Sequence, residues 1–320
     1  MEENRAEQLF FLWEKISGEI RLLRVFGEQP VVTVPGFIDG RCVQELGDYC
    51  FSRRKLPENE IRYSRYCGGM WESGLSVLKD KEKKDRISSE QEENIISLET
   101  IERDGKLHEL SEKYIKEVQL PADIVKIGSC AFYNCTKMER ISVYPKLVEV
   151  GSDAFMNCLN LRSLRMCAGV EEPTGLKQLL AQIKWQVEVS FEQEDGEREA
   201  VLMYPEYYES YDEIGPAHIF ELNLTGEGFR ARQCFKEGVI LLNAYDEIFP
   251  QACVEESAEV LIPMAWNRLY AACGLSPEAR ADYEEYVREQ SGKVLTILLK
   301  KRELKPLHFF FEKLKLQLHL

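Results

Sequence analysis

Apolar and polar residues alternate over short stretches that recur at a fixed interval. Val118-Gln119-Leu120 and Ile141-Ser142-Val143 each set two apolar side chains on one face and a polar one on the other, the period of a half-buried β-strand. Val118, Ile141 and Leu164 form one series spaced by 23 residues, and Leu120, Val143 and Met166 form a second. The interval persists in Gly128 and Gly151, Ala131 and Ala154, Phe132 and Phe155, Asn134 and Asn157, and Cys135 and Cys158. Each unit predicts a short strand, a turn and a helix-like segment carrying Ala-Phe. The Ala permits close approach of coils, the Phe fills the space between units, and the Gly suits a reversal needing unusual backbone angles. One unit cannot bury its apolar face alone, so the units are expected to stack into a solenoid with a parallel sheet along it. Cys135 and Cys158 then predict a buried ladder of small side chains. Asn134 and Asn157 predict hydrogen bonds to backbone exposed between coils.

Leu120-Pro121, followed by Val125-Lys126-Ile127-Gly128-Ser129-Cys130-Ala131-Phe132-Tyr133-Asn134-Cys135, resembles the BspA-like (LRR_5-type) leucine-rich repeats of bacterial proteins. Their core runs from a Leu-Pro or Ile-Pro strand end through Val-x-x-Ile-Gly-x-x-Ala-Phe-x-x-Cys. Val125 stands one residue closer to Ile127 than that pattern has it. A degenerate unit precedes it, with Val31–Pro35 as strand end, Ile38–Val43 as the family's Ile-Asp-Gly-x-x-Val, and Leu46–Phe51 carrying Cys50 in place of Ala. The resemblance covers residues 18–66 and 107–168. It implies a bacterial leucine-rich-repeat protein, and many of its relatives are surface adhesins.

Leu9–Ile16 and Glu19–Val25, around Ser17-Gly18, predict a strand pair that caps the open edge of the solenoid. Gly47 to Gly128 is 81 positions, not a multiple of 23, so an insertion is expected near 67–107. Its charged run Lys79–Asn94 reads as partly disordered or loosely helical. After residue 168 the repeat stops, and Pro173-Thr174-Gly175 marks a boundary. The expected organisation is a repeat domain over 1–168 and an α+β domain over 169–320, mixed α/β overall. In the second domain Leu176–Ile183 reads as a helix, Trp185–Phe191 and Glu199–Tyr204 as a hairpin, and Ile219–Leu224 as a third strand. Helices are expected over Tyr245–Cys253, Ala258–Ala272, Pro277–Gln290, Gly292–Lys301 and Leu304–Leu316. Ser276-Pro277-Glu278 is a strong start signal.

Charge narrows the partners. The formal net charge of −14 disfavours phosphate backbones and anionic lipid, so neither nucleic acid nor membrane is expected. No stretch has the roughly 18 apolar residues of a membrane-spanning helix. The start Met1-Glu2-Glu3-Asn4-Arg5 lacks the basic flank of a secretory signal, so a cytoplasmic location with ten reduced cysteines is the expectation. His108, His218, His308 and His319 show no metal-ligand spacing, and no nucleophile motif or phosphate loop occurs, so neither enzymatic activity nor a cofactor is expected. Three weaker features remain. Tyr204–Glu213 mixes aromatics with carboxylates, as a sugar-binding or glycosidase-like cleft does, though acids on a solvated helix or loop are commoner. Arg230–Phe235 is a small basic spot expected to pair with neighbouring acids. Cys234, beside Arg232, is a candidate for a lowered thiol pKa.

Binding is therefore placed on the strand positions opposite the core ones: Glu117, Gln119, Arg140, Ser142, Tyr144, Ser163 and Arg165. A protein-binding scaffold of unknown partner is the leading expectation. A secreted adhesin, and an enzyme with its site in the second domain, are the alternatives.

Overall fold

Ser17 and Gly18 both adopt positive φ, 52° and 100°, the turn that folds β1 (Leu9–Ile16) back antiparallel onto β2 (Glu19–Gly27). The computed structural model describes residues 8–53, 61–67, 70–76, 95–96, 107–193, 196–214, 218–301 and 304–315. It divides into two units, one of residues 1–164 with 174–182, the other of residues 165–173 with 183–320.

The first unit is a β-solenoid. Its coils contribute the strands β3 (Val31–Thr33), β4 (Phe37–Ile38), β5 (Arg41–Leu46), β10 (Glu117–Gln119), β11 (Lys126–Ile127), β12 (Arg140–Val143), β13 (Glu149–Val150) and the first two residues of β14 (Ser163–Met166). Two parallel rows run along it. In one, Val32, Val118 and Ile141 are in register on β3, β10 and β12, all buried. In the other, Leu22, Leu46, Ile127 and Val150 are in register on β2, β5, β11 and β13. The β1–β2 hairpin thus covers the edge of the first coil, which would otherwise offer unpaired backbone.

Between β5 and β10 the chain leaves the repeat. β6 (Ile61–Cys67) pairs with β1, β7 (Met70–Ser76) with β6, and β8 (Ile95–Ile96) with β7, while β9 (His108–Glu109) pairs with β2. The start of the expected insertion is therefore β-structure. The run Lys79–Asn94 lies outside the described residues.

Two expectations for the repeat need correction. The Ala-Phe segments are successive turns, not helix. The left-handed residues are also not the glycines: Tyr49, Cys130 and Asp153, each two residues after Gly47, Gly128 and Gly151, have φ of 57°, 54° and 54°. Asn134 and Asn157 follow at 61° and 65°. Gly128 and Gly151 serve close approach instead. A Cβ on Gly151 would lie 2.4 Å from the Ser129 nitrogen, and one on Gly128 2.6 Å from the Asp48 nitrogen. The reason is a hydrogen-bond ladder between turns, in which Phe51 and Phe132 nitrogens donate to the Ala131 and Ala154 carbonyls at 2.7 and 2.8 Å. Such bonds hold successive backbones too near for a side chain.

The aromatic rings complete the core. Phe51, Phe132 and Phe155 stack with centroids 4.8 and 5.1 Å apart and planes within 9° and 8°. Beside them the Cys135 thiol donates to the Phe51 carbonyl at 3.1 Å and the Cys158 thiol to the Phe132 carbonyl at 2.9 Å. The cysteine ladder is thus a set of buried donors for carbonyls of the preceding coil. The asparagines pair with each other, Asn157 Nδ2 donating to Asn134 Oδ1 at 2.7 Å, rather than with backbone as expected.

Helix α1 (Leu176–Ala181) belongs to the first unit and buries Leu176, Leu179 and Leu180. In the second unit β15 (Val187–Glu192) and β16 (Arg198–Tyr204) form the expected hairpin. β17 (Tyr208–Ile214) pairs with β18 (Ile219–Thr225), which makes the aromatic–acid segment a strand rather than a helix or loop. Next come α2 (Gly228–Ala231), the short pair β19 (Phe235–Lys236) and β20 (Val239–Ile240), α3 (Leu242–Asp246) and α4 (Phe249–Glu255). The single helix expected over Tyr245–Cys253 is therefore two, broken at Glu247-Ile248, just before the proline at position 250 that cannot continue a helix from within. Helices α5 (Ala258–Tyr270), α6 (Pro277–Glu289), α7 (Ser291–Lys301) and α8 (Leu304–Lys315) follow as expected. Ser276 caps α6, its hydroxyl accepting from the Ala279 nitrogen at 3.1 Å.

Helix α5 packs on β16. Its Ile262 and Trp266 form a cluster with Val294, Leu298 and Phe310 of α7 and α8. Its Arg268 is fully buried and makes a bidentate pair with Asp246, at 2.8 and 2.9 Å, to which the Tyr283 hydroxyl also donates at 2.9 Å. Every charge in that network has a partner, the condition under which buried ions are tolerated.

Candidate functional site

The row of β3, β10 and β12 has one face to the core and one away from it. Register sets Val31, Glu117 and Arg140 side by side, and Thr33, Gln119 and Ser142 beside them. Val31 is 44% exposed, Thr33 and Arg140 are exposed, and Glu117 and Gln119 are half-buried. Arg140 Nη1 reaches Glu117 Oε2 at 3.0 Å, so the two charges neutralise each other along the row. The result is a shallow strip with an apolar end at Val31, an ion pair in the middle and amide and hydroxyl groups alongside.

The seven expected positions do not all lie in this strip. Glu117, Gln119 and Arg140 do. Ser142 is only 3% exposed, because its short side chain sits in the row beside the longer Gln119; its place on the accessible face is corrected. Tyr144, just past β12, and Ser163, at the start of β14, are half-buried. Arg165 falls in the second unit, where its guanidinium meets the Glu192 carboxylate. Sequence reasoning missed Val31 and Thr33. The alternation Val31-Val32-Thr33 marked a strand, but its registry with Glu117–Gln119 spans the insertion, and no spacing rule reaches across that.

The second row carries a charge ladder. Glu14, Arg21, Glu45, Lys126 and Glu149 stand opposite one another on β1, β2, β5, β11 and β13, signs alternating at every step. Arg21 is 3.1 Å from Glu14 and 2.7 Å from Glu45, and Lys126 is 2.5 Å from Glu149. The Lys126 pKa is raised, chiefly by its hydrogen bond to Glu149. Cross-strand pairs of this type each contribute a few tenths of a kcal/mol up to about 1. Glu117–Arg140, Asp123–Lys146 and Lys126–Glu149 all repeat at 23 residues. That regularity was available in the sequence as opposite charges at the repeat interval.

Among the described residues, no group of three or more His, Cys, Asp or Glu side chains is placed to hold a metal. Six thiols have pKa values pushed up rather than down. Burial lifts Cys50 to about 12 and Cys234 to about 11, and it also raises Cys42, Cys135, Cys253 and Cys273. The expectation of an activated Cys234 is thereby corrected: desolvation outweighs the nearby cation Arg230. Of the basic spot, Arg230 pairs with Glu227 at 2.8 Å as expected. Arg232 instead turns inward, onto the carbonyls of Ile183, Trp185, Pro205 and Gly228. A shallow pocket beside α5 is lined by Glu188, Arg198, Trp266, Asn267 and Tyr270 among others, with Asn267 Nδ2 donating to Glu188 at 3.0 Å. The carboxylates of Glu206, Glu209 and Glu213 project from exposed positions and form no cleft. No described helix is long and apolar enough to cross a membrane.

One family model, the BspA type leucine rich repeat region, matches residues 93–173 in six copies, about a quarter of the chain. No curated protein and no solved structure matches it. The match contains the two coils that carry Phe132 with Cys135 and Phe155 with Cys158, and leaves out the degenerate one at Leu46–Phe51.

Proposed function

We propose that this chain, which carries a BspA-type leucine-rich-repeat region over residues 93–173, is a non-catalytic scaffold that binds another protein through the strip formed by β3, β10 and β12. Repeats of this family point to an interaction or adhesin-like role, and solenoids bind through extended faces of their sheets. The observation that carries the reading is the in-register array Val31–Glu117–Arg140 and Thr33–Gln119, which leaves polar and apolar groups open on a rigid sheet. Its chemistry suits recognition rather than turnover, since the charges are already paired and no nucleophile stands beside a base. A protein surface with matched hydrogen-bonding groups is the expected partner, and the acidic net charge disfavours nucleic acid and anionic membranes. The cytoplasm is the proposed location, in keeping with ten free cysteines, six of them with thiols above their ordinary pKa.

The test is affinity capture from the native host, comparing the intact chain with the variant Val31→Asp/Gln119→Ala/Arg140→Glu. Val31 and Arg140 are exposed and Gln119 is half-buried, and the two new carboxylates flank Glu117, so the variant should lose about 1–3 kcal/mol, with circular dichroism checking that it stays folded. Partners held by the parent and lost by the variant support the strip. Partners held equally by both remove it as the binding site.

A further inference from the structure

The β17–β18 ribbon pairs with no third strand among the described residues. Its register sets Glu209 opposite Leu224, Tyr211 opposite Leu222 and Glu213 opposite Phe220. Directly opposed residues share a face, so Tyr211, Phe220, Leu222 and Leu224 form one apolar stripe flanked by two carboxylates. They are 66%, 64%, 47% and 40% exposed. The other face carries Ser210, Asp212, Glu221 and Asn223 along its middle, with Tyr208 and Thr225 at its root. The ribbon thus has the alternation of a half-buried strand, and among the described residues nothing covers its apolar side.

A free two-stranded ribbon is marginal in water, yet the root of this one is clamped. Arg232 Nη1 donates to the Pro205 carbonyl at 2.6 Å and to the Gly228 carbonyl at 2.8 Å, gripping the chain as it enters the ribbon and as it leaves. Its other nitrogens bond the Ile183 and Trp185 carbonyls, and its guanidinium lies 5.1 Å from the Tyr207 ring. A Cβ on Gly228 would lie 2.2 Å from the Pro205 oxygen, so the two legs meet backbone to backbone. A held root and two exposed strands describe an arm presented to solvent.

Its charge states what it is presented to. From Tyr204 to Thr225 the chain carries Glu206, Glu209, Asp212, Glu213 and Glu221, and neither Lys nor Arg. The basic side chains beside it are Lys184, 2.6 Å from Glu209, and the His218 imidazole, hydrogen-bonded to Glu213. We propose that the β17–β18 ribbon is a docking arm for a basic polypeptide segment added as a strand along β18, whose apolar side chains join the stripe of Tyr211, Phe220, Leu222 and Leu224 while its alternate Lys or Arg side chains meet Glu221 on the other face and a terminal one meets Glu213. Complementary charge selects this occupant over a second copy of the chain, which would bring two acidic ribbons together, and over nucleic acid, which the carboxylates repel. The free strand edges allow the segment to add as a further strand. This site is separate from the solenoid strip, and neither depends on the other.

The test selects a random peptide library on the intact chain, then measures the enriched peptides by fluorescence anisotropy against two variants. Phe220→Thr/Leu222→Thr keeps strand propensity and removes the stripe. Glu213→Lys/Glu221→Lys keeps the stripe and reverses the charge. The expected peptides alternate basic and apolar residues, bind more weakly as salt rises, and lose about tenfold or more in affinity to each variant. Circular dichroism of both variants should match the parent. Enriched peptides that are acidic or neutral, or that bind the variants as well as the parent, overturn the proposal. Sedimentation that shows a dimer of the parent and a monomer of Phe220→Thr/Leu222→Thr also overturns it, by giving the stripe to a second copy.

Discussion

Replacing Gly151 by Ala isolates the contact on which the solenoid spacing depends. Gly151 has no positive φ, so an alanine meets no dihedral penalty there. It meets the preceding coil instead. The new Cβ would lie 2.4 Å from the Ser129 nitrogen and 2.7 Å from the Gly128 carbonyl carbon and the Ser129 Cα, where ordinary contact begins near 3.4 Å. All three atoms are backbone, so no side chain can swing aside and the coils must part by about 1 Å. That movement stretches the bonds from the Gly151 nitrogen to the Ile127 carbonyl, 2.8 Å, and from the Cys130 nitrogen to the Ser152 carbonyl, 3.0 Å, beyond useful length. Two bonds at about 0.5–1.5 kcal/mol each and an overpacking cost of about 1–3 kcal/mol give a loss of roughly 2–6 kcal/mol. For a unit of this size the melting temperature falls by roughly 4–24 °C. Asp153→Gly is the control two residues away. It relieves a left-handed residue at φ 54°, a gain of about 1–2 kcal/mol offset by about 0.5–1 kcal/mol of chain entropy, so it should melt at or slightly above the parent. Scanning calorimetry of the three proteins checks both. Gly151→Ala melting with the parent would refute the close-approach argument.

Three further outcomes follow from the buried groups. Asn134→Ala loses the 2.7 Å bond from Asn157 and places a Cβ-bearing residue without local hydrogen bonding at φ 61°; a loss of about 1–3 kcal/mol in urea unfolding is expected, with Asn134→Gly recovering part of it. Arg268→Met leaves Asp246 buried without its cation and should cost about 3–5 kcal/mol, whereas Tyr283→Phe removes one bond to the same carboxylate and should cost about 1–3 kcal/mol; an equal, small shift of the urea midpoint for both would contradict the network. The folded state holds Cys50 and Cys234 above the ordinary thiol value of 9.0, at about 12 and about 11. Their contribution to stability is therefore complete below pH 9.0 and is lost as pH rises toward 11 and 12. Urea midpoints measured across that window should fall more steeply for the parent than for Cys50→Ala/Cys234→Ala, and parallel slopes would contradict the raised values.

The solenoid was legible because its signal is periodic. The 23-residue spacing of Val118, Ile141 and Leu164 predicts which residues share a rung, and the structure places Val118 beside Ile141 in the sheet. Ser17-Gly18 named the capping hairpin through turn chemistry alone. Ser276-Pro277 named the start of α6 in the same way. The candidate face was half legible. Alternation says which way Gln119 points, but it does not say that Val31 and Thr33 lie beside it or that Ser142 is shaded by its neighbour. The role of the glycines was misread, because a sequence shows that a Cβ is absent but not what would have met it.

Local order in the chain, then, determined the repeat, the inward Phe and Cys ladders, the cap and most of the later helices, since each depends on residues within one turn or one repeat of each other. Tertiary structure alone decided the partners made over long separations. Phe51 joins the stack of Phe132 across the insertion. Arg232 leaves the surface for four carbonyls contributed by three segments of the chain. The β17–β18 ribbon keeps its apolar side in solvent although its pattern reads like that of any half-buried strand. Burial is a property of what packs against a face, and a side chain's own sequence neighbours carry no record of it.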